Sequence, residues 1–346
     1  MSLAVATFCA GLRIRIVGVT LSPEQSEFLG RPIALFVLGM HRSGTSALTR
    51  VLTLCGGTLP TALLTADVAN PSGYWEPRAA VDLNDTILQR HGSDWADPTL
   101  RLQEEGAFEA EERAACVAKI CDFFTTLPTA PLVVIKDPRI TVLSGMWFEA
   151  ARLAGFEIAV AIAVRHPHEV TASITKVSGA SSEPSADLAS ALWLTYNLLA
   201  ERNTRQLPRV FVDYANFLDN WPREVERISA ALSIDLASRD EAAIEEYLQP
   251  SLHRHRHHGP VTDLSGTDWI SATYEALRAA SRDEPVDETT FDRVFEQYRI
   301  KAHRFEVAFQ DYRKLRNRVQ RRRSVVRPIN TMIALARRRR GPSRRS

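Results

Sequence analysis

No apolar run in the sequence approaches the ~18 residues that a membrane-spanning helix requires, and no span is read from it. Residues 2–11 are apolar, but no positive charge precedes them and no clear cleavage site follows, so a signal peptide is not expected. Cysteine is scarce. Cys9, Cys55, Cys116 and Cys121 make no disulfide framework, and the spacing of Cys116 and Cys121 does not suit a zinc knuckle. All four read as reduced, small apolar residues of an intracellular protein. Lysine is rare among the bases, five against 38 arginines, a bias that carries no functional information. Acidic residues are missing from 313–346, which holds 14 of the 43 basic residues; the first 312 positions therefore carry 29 basic and 41 acidic side chains, a net of −12. An acidic body with a basic tail excludes a catalytic domain that grips nucleic acid over a broad basic face. What is present is ordinary: 45% apolar and 24% charged residues over 346 positions. That composition excludes a disordered or collagen-like chain, and it can bury a full core in one large domain or two modest ones.

Strands and helices alternate through the middle of the chain. The apolar run 33–38 ends at Gly39 and reads as a buried parallel strand, followed by a Gly/Ser-rich turn and the helical pattern Ala47, Leu48, Val51, Leu52, Leu54. Further strands are read at 132–135, 158–164 and 209–212, and further helices at 142–154, from 169, at 186–202 and at 221–232. This order predicts an α/β fold, with a central parallel sheet flanked by helices in three layers. Ligands of such sheets bind at the carboxyl ends of the strands, and polar clusters follow each strand here. The stretch 12–20 alternates weakly and reads either as an edge strand or as unstructured chain. From Phe291 the apolar positions Phe295, Tyr298, Ala302, Phe305, Phe309 and Tyr312 follow at intervals of 4, 3, 4, 3, 4 and 3, with Val319 in register. This seam predicts a long C-terminal helix, packed on its own domain or forming a homodimer through 291–319. The implied organisation is an extension (1–30), an α/β domain (31–286), the long helix (287–323) and a basic, unstructured tail (324–346).

The turn Gly39-Met40-His41-Arg42-Ser43-Gly44-Thr45-Ser46 lies between a strand and a helix. Glycines there let backbone amides approach an anion, and the helix N-terminus adds its dipole. A nucleotide-hydrolysing P-loop carries lysine after the second glycine. Here that position is Thr45, and the loop cation is Arg42, earlier in the turn. A P-loop kinase or NTPase would lack its phosphate-bridging lysine; a non-catalytic scaffold is the other alternative.

Arg42-Ser43-Gly44-Thr45-Ser46 resembles the 5'-phosphosulfate loop of sulfotransferases that use 3'-phosphoadenosine 5'-phosphosulfate (PAPS), nearer the carbohydrate-modifying and bacterial branches, where arginine stands first. A second motif of that family pairs a strand-terminal arginine with a serine eight residues on to hold the 3'-phosphate. Arg165 and Ser173 match it, and arginine forks two N–H bonds onto a phosphate. The turn after 209–212 resembles a third motif and brings Tyr214 toward the adenine. The resemblance covers about 31–250. It implies a P-loop-type fold, PAPS as donor with no metal, and transfer of the sulfonate to a hydroxyl of a carbohydrate, glycolipid or other metabolite.

The resemblance also frames the chemistry. Arg42 would stabilise charge on the leaving phosphate oxygen. The histidine motif that supplies the base in the small-molecule branch is absent; the segment reads Lys136-Asp137-Pro138-Arg139. Glycan-modifying branches use a glutamate between the loop and the second strand, and Glu76 in Asn70-Pro71-Ser72-Gly73-Tyr74-Trp75-Glu76 holds that place, with Asp137, His41 and His91 as alternatives. Trp75 would shield Glu76 and raise its pKa. Trp75, Glu76 and Arg139 are expected to face the acceptor, and Lys136 the sulfonate. The tract His253, His255, His257, His258 is interleaved with Arg254 and Arg256 and has no spaced cysteine, so no metal is read there. The basic tail fits a peripheral contact with an anionic membrane surface better than a nucleic acid, and the expected location is cytoplasmic or membrane-peripheral.

Overall fold

The computed structural model describes residues 30–67, 70–178, 185–248, 257 and 259–318, together with the strand pairs at Arg15–Ile16 (β1) and Val19–Thr20 (β2). β1 and β2 pair antiparallel with each other, apart from the main sheet. The main sheet has four parallel strands, β3 (Ile33–Leu38), β4 (Leu132–Lys136), β5 (Glu157–Val164) and β6 (Arg209–Asp213), in the order β4-β3-β5-β6. Its strands are near-continuous apolar runs because both faces are covered. On one face Ala34, Phe36 and Leu38 meet Trp147 and Trp193. On the other, Leu35 and Val37 meet Leu48, Val51 and Ile228.

Helix α1 (Thr45–Leu54) follows β3 on the second face. It is followed by α2 (Arg78–Arg90), α3 (Ala110–Thr125) and, after β4, α4 (Ile140–Leu153). Helices α5 (Pro167–Ser178) and α6 (Ala186–Asn203) follow β5. After β6 come α7 (Tyr214–Asp219), α8 (Trp221–Leu232), α9 (Glu241–Tyr247), α10 (Trp269–Ala280) and α11 (Glu288–Lys301). Core residues of α1 and α8 lie on the second face, and those of α4 and α6 on the first. The chain thus leaves β3 toward one face and leaves β4 and β5 toward the other. That divergence opens a crevice at the carboxyl end of β3. Register places the strand ends side by side: Val37 pairs with Lys136, and Val164 with Asp213.

The seam residues Phe291, Phe295, Tyr298, Ala302, Phe305, Phe309 and Tyr312 are all buried in the chain's own core. The helical run continues past α11, with a tighter 3₁₀ turn at Ala302–Phe305 before 306–318. Within 306–318, Arg316 bonds the Asp94 carboxylate and Arg313 the Gly92 carbonyl, tying this run to the loop after α2. Val319, Cys9 and most of the His253–His258 tract lie outside the described residues. Cys55, Cys116 and Cys121 are buried free thiols.

Candidate active site

The loop 39–44 turns sharply between β3 and α1, and two glycines make the turn. Gly39 has φ +127, and a Cβ there would sit 2.7 Å from the Ala163 carbonyl oxygen. Gly44 has φ +89, and a Cβ there would overlap the Tyr214 ring. Arg42 also takes a left-handed conformation, φ 70. The loop carries two buried polar atoms without a hydrogen-bond partner, His41 Nε2 and Ser43 Oγ. Such atoms are costly unless a ligand or water satisfies them, and beside a helix N-terminus they fit an anionic group.

The two sequence motifs meet. Arg165 Nη1 donates to the Arg42 carbonyl oxygen at 2.9 Å, and Arg42 Nε donates to Ser173 Oγ at 3.0 Å. Ser173, expected beside Arg165 on one phosphate, accepts from Arg42 through its Oγ, and its own O–H remains a donor. Arg165 Nε donates to Glu169 Oε2 at 2.7 Å, and its guanidinium lies 4.5 Å from the Tyr214 ring centroid. Tyr214 is only 8% exposed. Its ring packs against Gly44 and Arg165. Burial pulls the Arg42 pKa below its ordinary value, and the neighbouring Arg165 adds to the effect. An anion between these cations would relieve that strain.

Lys136, the last residue of β4, reaches the same loop. Its Nζ donates to Glu76 Oε1 at 2.5 Å, to the Tyr74 carbonyl at 3.0 Å and to Ser46 Oγ at 3.3 Å. Lys136 is 2% exposed and Glu76 4%, so this is a buried ion pair. Glu76 Oε2 lies 3.7 Å from Arg139. Burial pushes the Glu76 pKa up, with Lys136 and Arg139 opposing. Asn70, missed by sequence reasoning although it opens the segment ending in Glu76, donates to the Gly73 carbonyl at 2.7 Å and to Ser46 Oγ at 3.4 Å. Its side chain ties that segment to the phosphate loop.

A cavity of about 460 Å³ opens against these groups, with His41, Arg42, Tyr74, Glu76, Trp95 and Arg139 in its wall. Trp95 carried no signal in the sequence beyond being aromatic. Trp75 lies outside this wall: its φ is 58, and its ring meets Tyr247 and, at 4.6 Å, the Arg50 guanidinium. The expected shielding of Glu76 comes from the protein body and not from Trp75 as a lid. Arg139 is held by Asp85 at 2.7 Å and Asp137 at 2.8 Å. Asp137 is fully buried and accepts from Asn84 Nδ2 at 2.8 Å, which makes it a structural carboxylate. His91 follows the last residue of α2 and is not in the cavity wall; it pairs with Glu112 at 3.2 Å. His41 packs on Trp95 and Tyr196, and burial, with Arg139, Lys136 and Arg42, holds its pKa well below the usual value. It is a neutral imidazole in the cavity wall.

Fold and site together define a P-loop-type α/β protein with a glycine-turned loop between β3 and α1 and a buried lysine–glutamate pair at the carboxyl end of its sheet. No family model matches the chain, and no curated protein matches it. Among solved structures it is similar to the sulfotransferase domain of the Synechococcus olefin synthase (17% identity, 77% of this chain, 94% of that one, TM-score 0.38). It is also similar to the sulfotransferase domain from the curacin biosynthetic pathway (14%, 74% and 99%, TM-score 0.40). A third similar structure is a sulfotransferase from Mycobacterium tuberculosis (14%, 75% and 79%, TM-score 0.32). At these scores the likenesses carry no weight in assigning a reaction, and the residues must do so.

Proposed function

We propose that the protein is a sulfotransferase that moves the sulfonate of PAPS to a hydroxyl of a carbohydrate, glycolipid or other metabolite. The observation that carries this reading is the junction of the two phosphate motifs through Arg42, whose carbonyl accepts from Arg165 and whose Nε donates to Ser173. Residues 123 positions apart thereby meet beside the cavity of Glu76, which supports a single surface for an anion. The unpartnered Ser43 hydroxyl at the N-terminus of α1 fits a 5'-phosphosulfate.

In the reaction the acceptor oxygen bonds to sulfur, the S–O bond to the 5'-phosphate breaks, and the bridging oxygen leaves on adenosine 3',5'-bisphosphate. Glu76 takes the acceptor's proton at a carboxylate oxygen whose pKa burial raises above its ordinary value, against the opposing charges of Lys136 and Arg139. Lys136, within 3.3 Å of Ser46 Oγ, places its charge against the transferring group. Arg42 offsets the charge that develops on the leaving oxygen. Arg139 and Trp95 bound the acceptor cavity.

The test is calorimetric titration with adenosine 3',5'-bisphosphate, with and without magnesium, and with ATP beside it. Micromolar binding of the bisphosphate without magnesium is expected, weakened at least about tenfold in Arg165→Ala, since a hydrogen bond between charged groups contributes about 1.5–3 kcal/mol. Magnesium-dependent binding of ATP alone would overturn the reading in favour of a kinase or NTPase, and binding of neither in favour of a scaffold.

A further inference from the structure

Helix α2 and the turn after β4 meet behind the cavity in a chain of buried polar contacts that the reaction described above does not use. Asn84, on α2, is fully buried, as are Asp137 and Trp147. Trp147 Nε1–H donates to Asn84 Oδ1 at 2.8 Å, and Asn84 Nδ2 donates to Asp137 Oδ2 at 2.8 Å. The indole offers only a donor, and the carboxylate that pairs with Arg139 offers acceptors. The amide between them therefore has one satisfied orientation. Turning it over would set N–H against N–H and oxygen against oxygen.

The oriented carboxylate holds Arg139. Asp137 Oδ1 accepts from the Arg139 backbone N–H at 3.1 Å and from its Nη1 at 2.8 Å. Asp85, next to Asn84 on α2, accepts from Arg139 Nε at 2.7 Å. The guanidinium is thus fixed from two sides, and its Nη1 stands 3.7 Å from Glu76 Oε2. That distance is beyond a hydrogen bond, so Arg139 acts on the carboxylate by charge and leaves the oxygen open. Lys136 occupies the other oxygen, Oε1. Burial and Asp137 favour the protonated form of Glu76, whereas Lys136 and Arg139 favour the ionised one. His41, Arg42, Asp67, Tyr74 and Arg78 share its cavity. Of all these groups the Asn84 side chain is bonded to Asp137 alone.

We propose that Asn84 is a positioning residue for the base: through Asp137 it fixes the Arg139 guanidinium against Glu76 Oε2, the oxygen that Lys136 leaves open to the acceptor's proton. This rests on the reading of Glu76 as the base. It gives Arg139 a task besides bounding the cavity, and it gives α2 one as well, since Asn84 and Asp85, adjacent on that helix, both serve Arg139. With Arg139 adrift, Glu76 loses one of the two cations that oppose its burial. It then stays protonated to higher pH and cannot accept a proton.

The experiment follows the carboxyl carbon resonance of Glu76 by NMR through a pH titration of the full chain, labelled in its glutamate side chains. The resonance is identified by its loss in Glu76→Gln. Asn84→Leu, close in shape, removes both hydrogen bonds without changing charge. Its Glu76 midpoint should rise by about one pH unit, the low end of what a cation a few ångströms away contributes. Asn84→Ser, too short to span from Trp147 to Asp137, should raise it too and serves if the leucine variant does not fold. Arg139→Gln removes the charge but keeps an N–H for Asp137; it should raise the midpoint by itself, and adding Asn84→Leu should move it no further. A loss of stability with an unmoved midpoint overturns the proposal, since Asn84 would then be structural only. An equal rise on the Arg139→Gln background overturns it as well, because Asn84 would then reach Glu76 by another route. The donor reading is judged separately: if the unaltered chain binds no adenosine 3',5'-bisphosphate, that reading fails whatever the titration shows.

Discussion

Lys136 and Glu76 illustrate how much of this site depends on single contacts. Both are almost fully buried, and each is the other's main compensation. Removing one charge from a buried pair costs about 3–5 kcal/mol, because the partner is stranded, whereas removing both together is often nearly neutral. Lys136→Met should therefore lower urea-unfolding stability by about 3 kcal/mol. Lys136→Met with Glu76→Gln should recover most of that loss while remaining inactive. Additive losses in the double variant would show that the two side chains are not coupled. Neither the pairing nor its depth was legible in the sequence. Glu76 stood out by position and Lys136 by following a strand, but 60 residues separate them, and only the placement of the segment 70–76 over β4 joins them. Arg42 and Gly44, by contrast, were legible, because a turn between a strand and a helix demands positive φ and close backbone approach within a few adjacent residues. The contacts of Tyr214 with Gly44 and Arg165 were not legible, because those residues come from other strand ends.

Among elements, the segment around Gly259 and Thr262 is docked on the start of α5 by an unusual link, the Thr262 backbone N–H donating to His168 Nε2 at 2.9 Å. Burial lowers the pKa of both His166 and His168, and their histidine neighbours lower them further. The docked state thus binds fewer protons than the undocked one. Its stability is fully present above the free-histidine value of about 6.5 and is lost as pH falls below it. Hydrogen exchange at the Thr262 amide, corrected for the intrinsic rate, should show protection at pH 7.5 that declines by pH 5.5. In His168→Leu protection should be low at both. Protection that persists unchanged at pH 5.5 would refute the link. The strands and the helices that follow them were readable from apolar runs and periodicity, and the structure moves their ends by only a residue or two. The heptad seam was readable too, but not the 3₁₀ turn at Ala302–Phe305. There the seam keeps its interval while the backbone tightens, so side-chain spacing carries no trace of it. The His253–His258 tract showed its composition but not the stacking of His257 on His166, a residue far from it in sequence.

At the scale of the whole molecule, charge is divided along the chain. Arg313 and Arg316 are committed to Gly92 and to the buried Asp94, so the basic residues at the start of the tail belong to the body. Counting the body through residue 318 gives 33 basic against 41 acidic residues, a net of −8, and leaves ten basic and no acidic residues in 319–346. Among the described residues no helix is long and apolar enough to cross a membrane. An anionic bilayer repels such a body and attracts such a tail, at about 1 kcal/mol per basic residue held near the surface. The 346-residue chain should therefore co-sediment with vesicles containing phosphatidylserine and not with phosphatidylcholine alone. Binding should fall sharply between 0.1 and 0.5 M salt as the screening length shrinks from about 10 Å to about 4 Å. A chain ending at residue 318 should lose at least about tenfold in partitioning and keep its bisphosphate affinity. Salt-insensitive binding, or binding that survives the truncation, would place the contact on the body instead. The exposed Ile300, Val307 and Leu315 on the terminal helical run would then be the surface to alter. The distinction bears on the acceptor, because a tail that holds the catalytic cleft at an anionic surface favours hydroxyls carried by lipids over those of freely diffusing sugars.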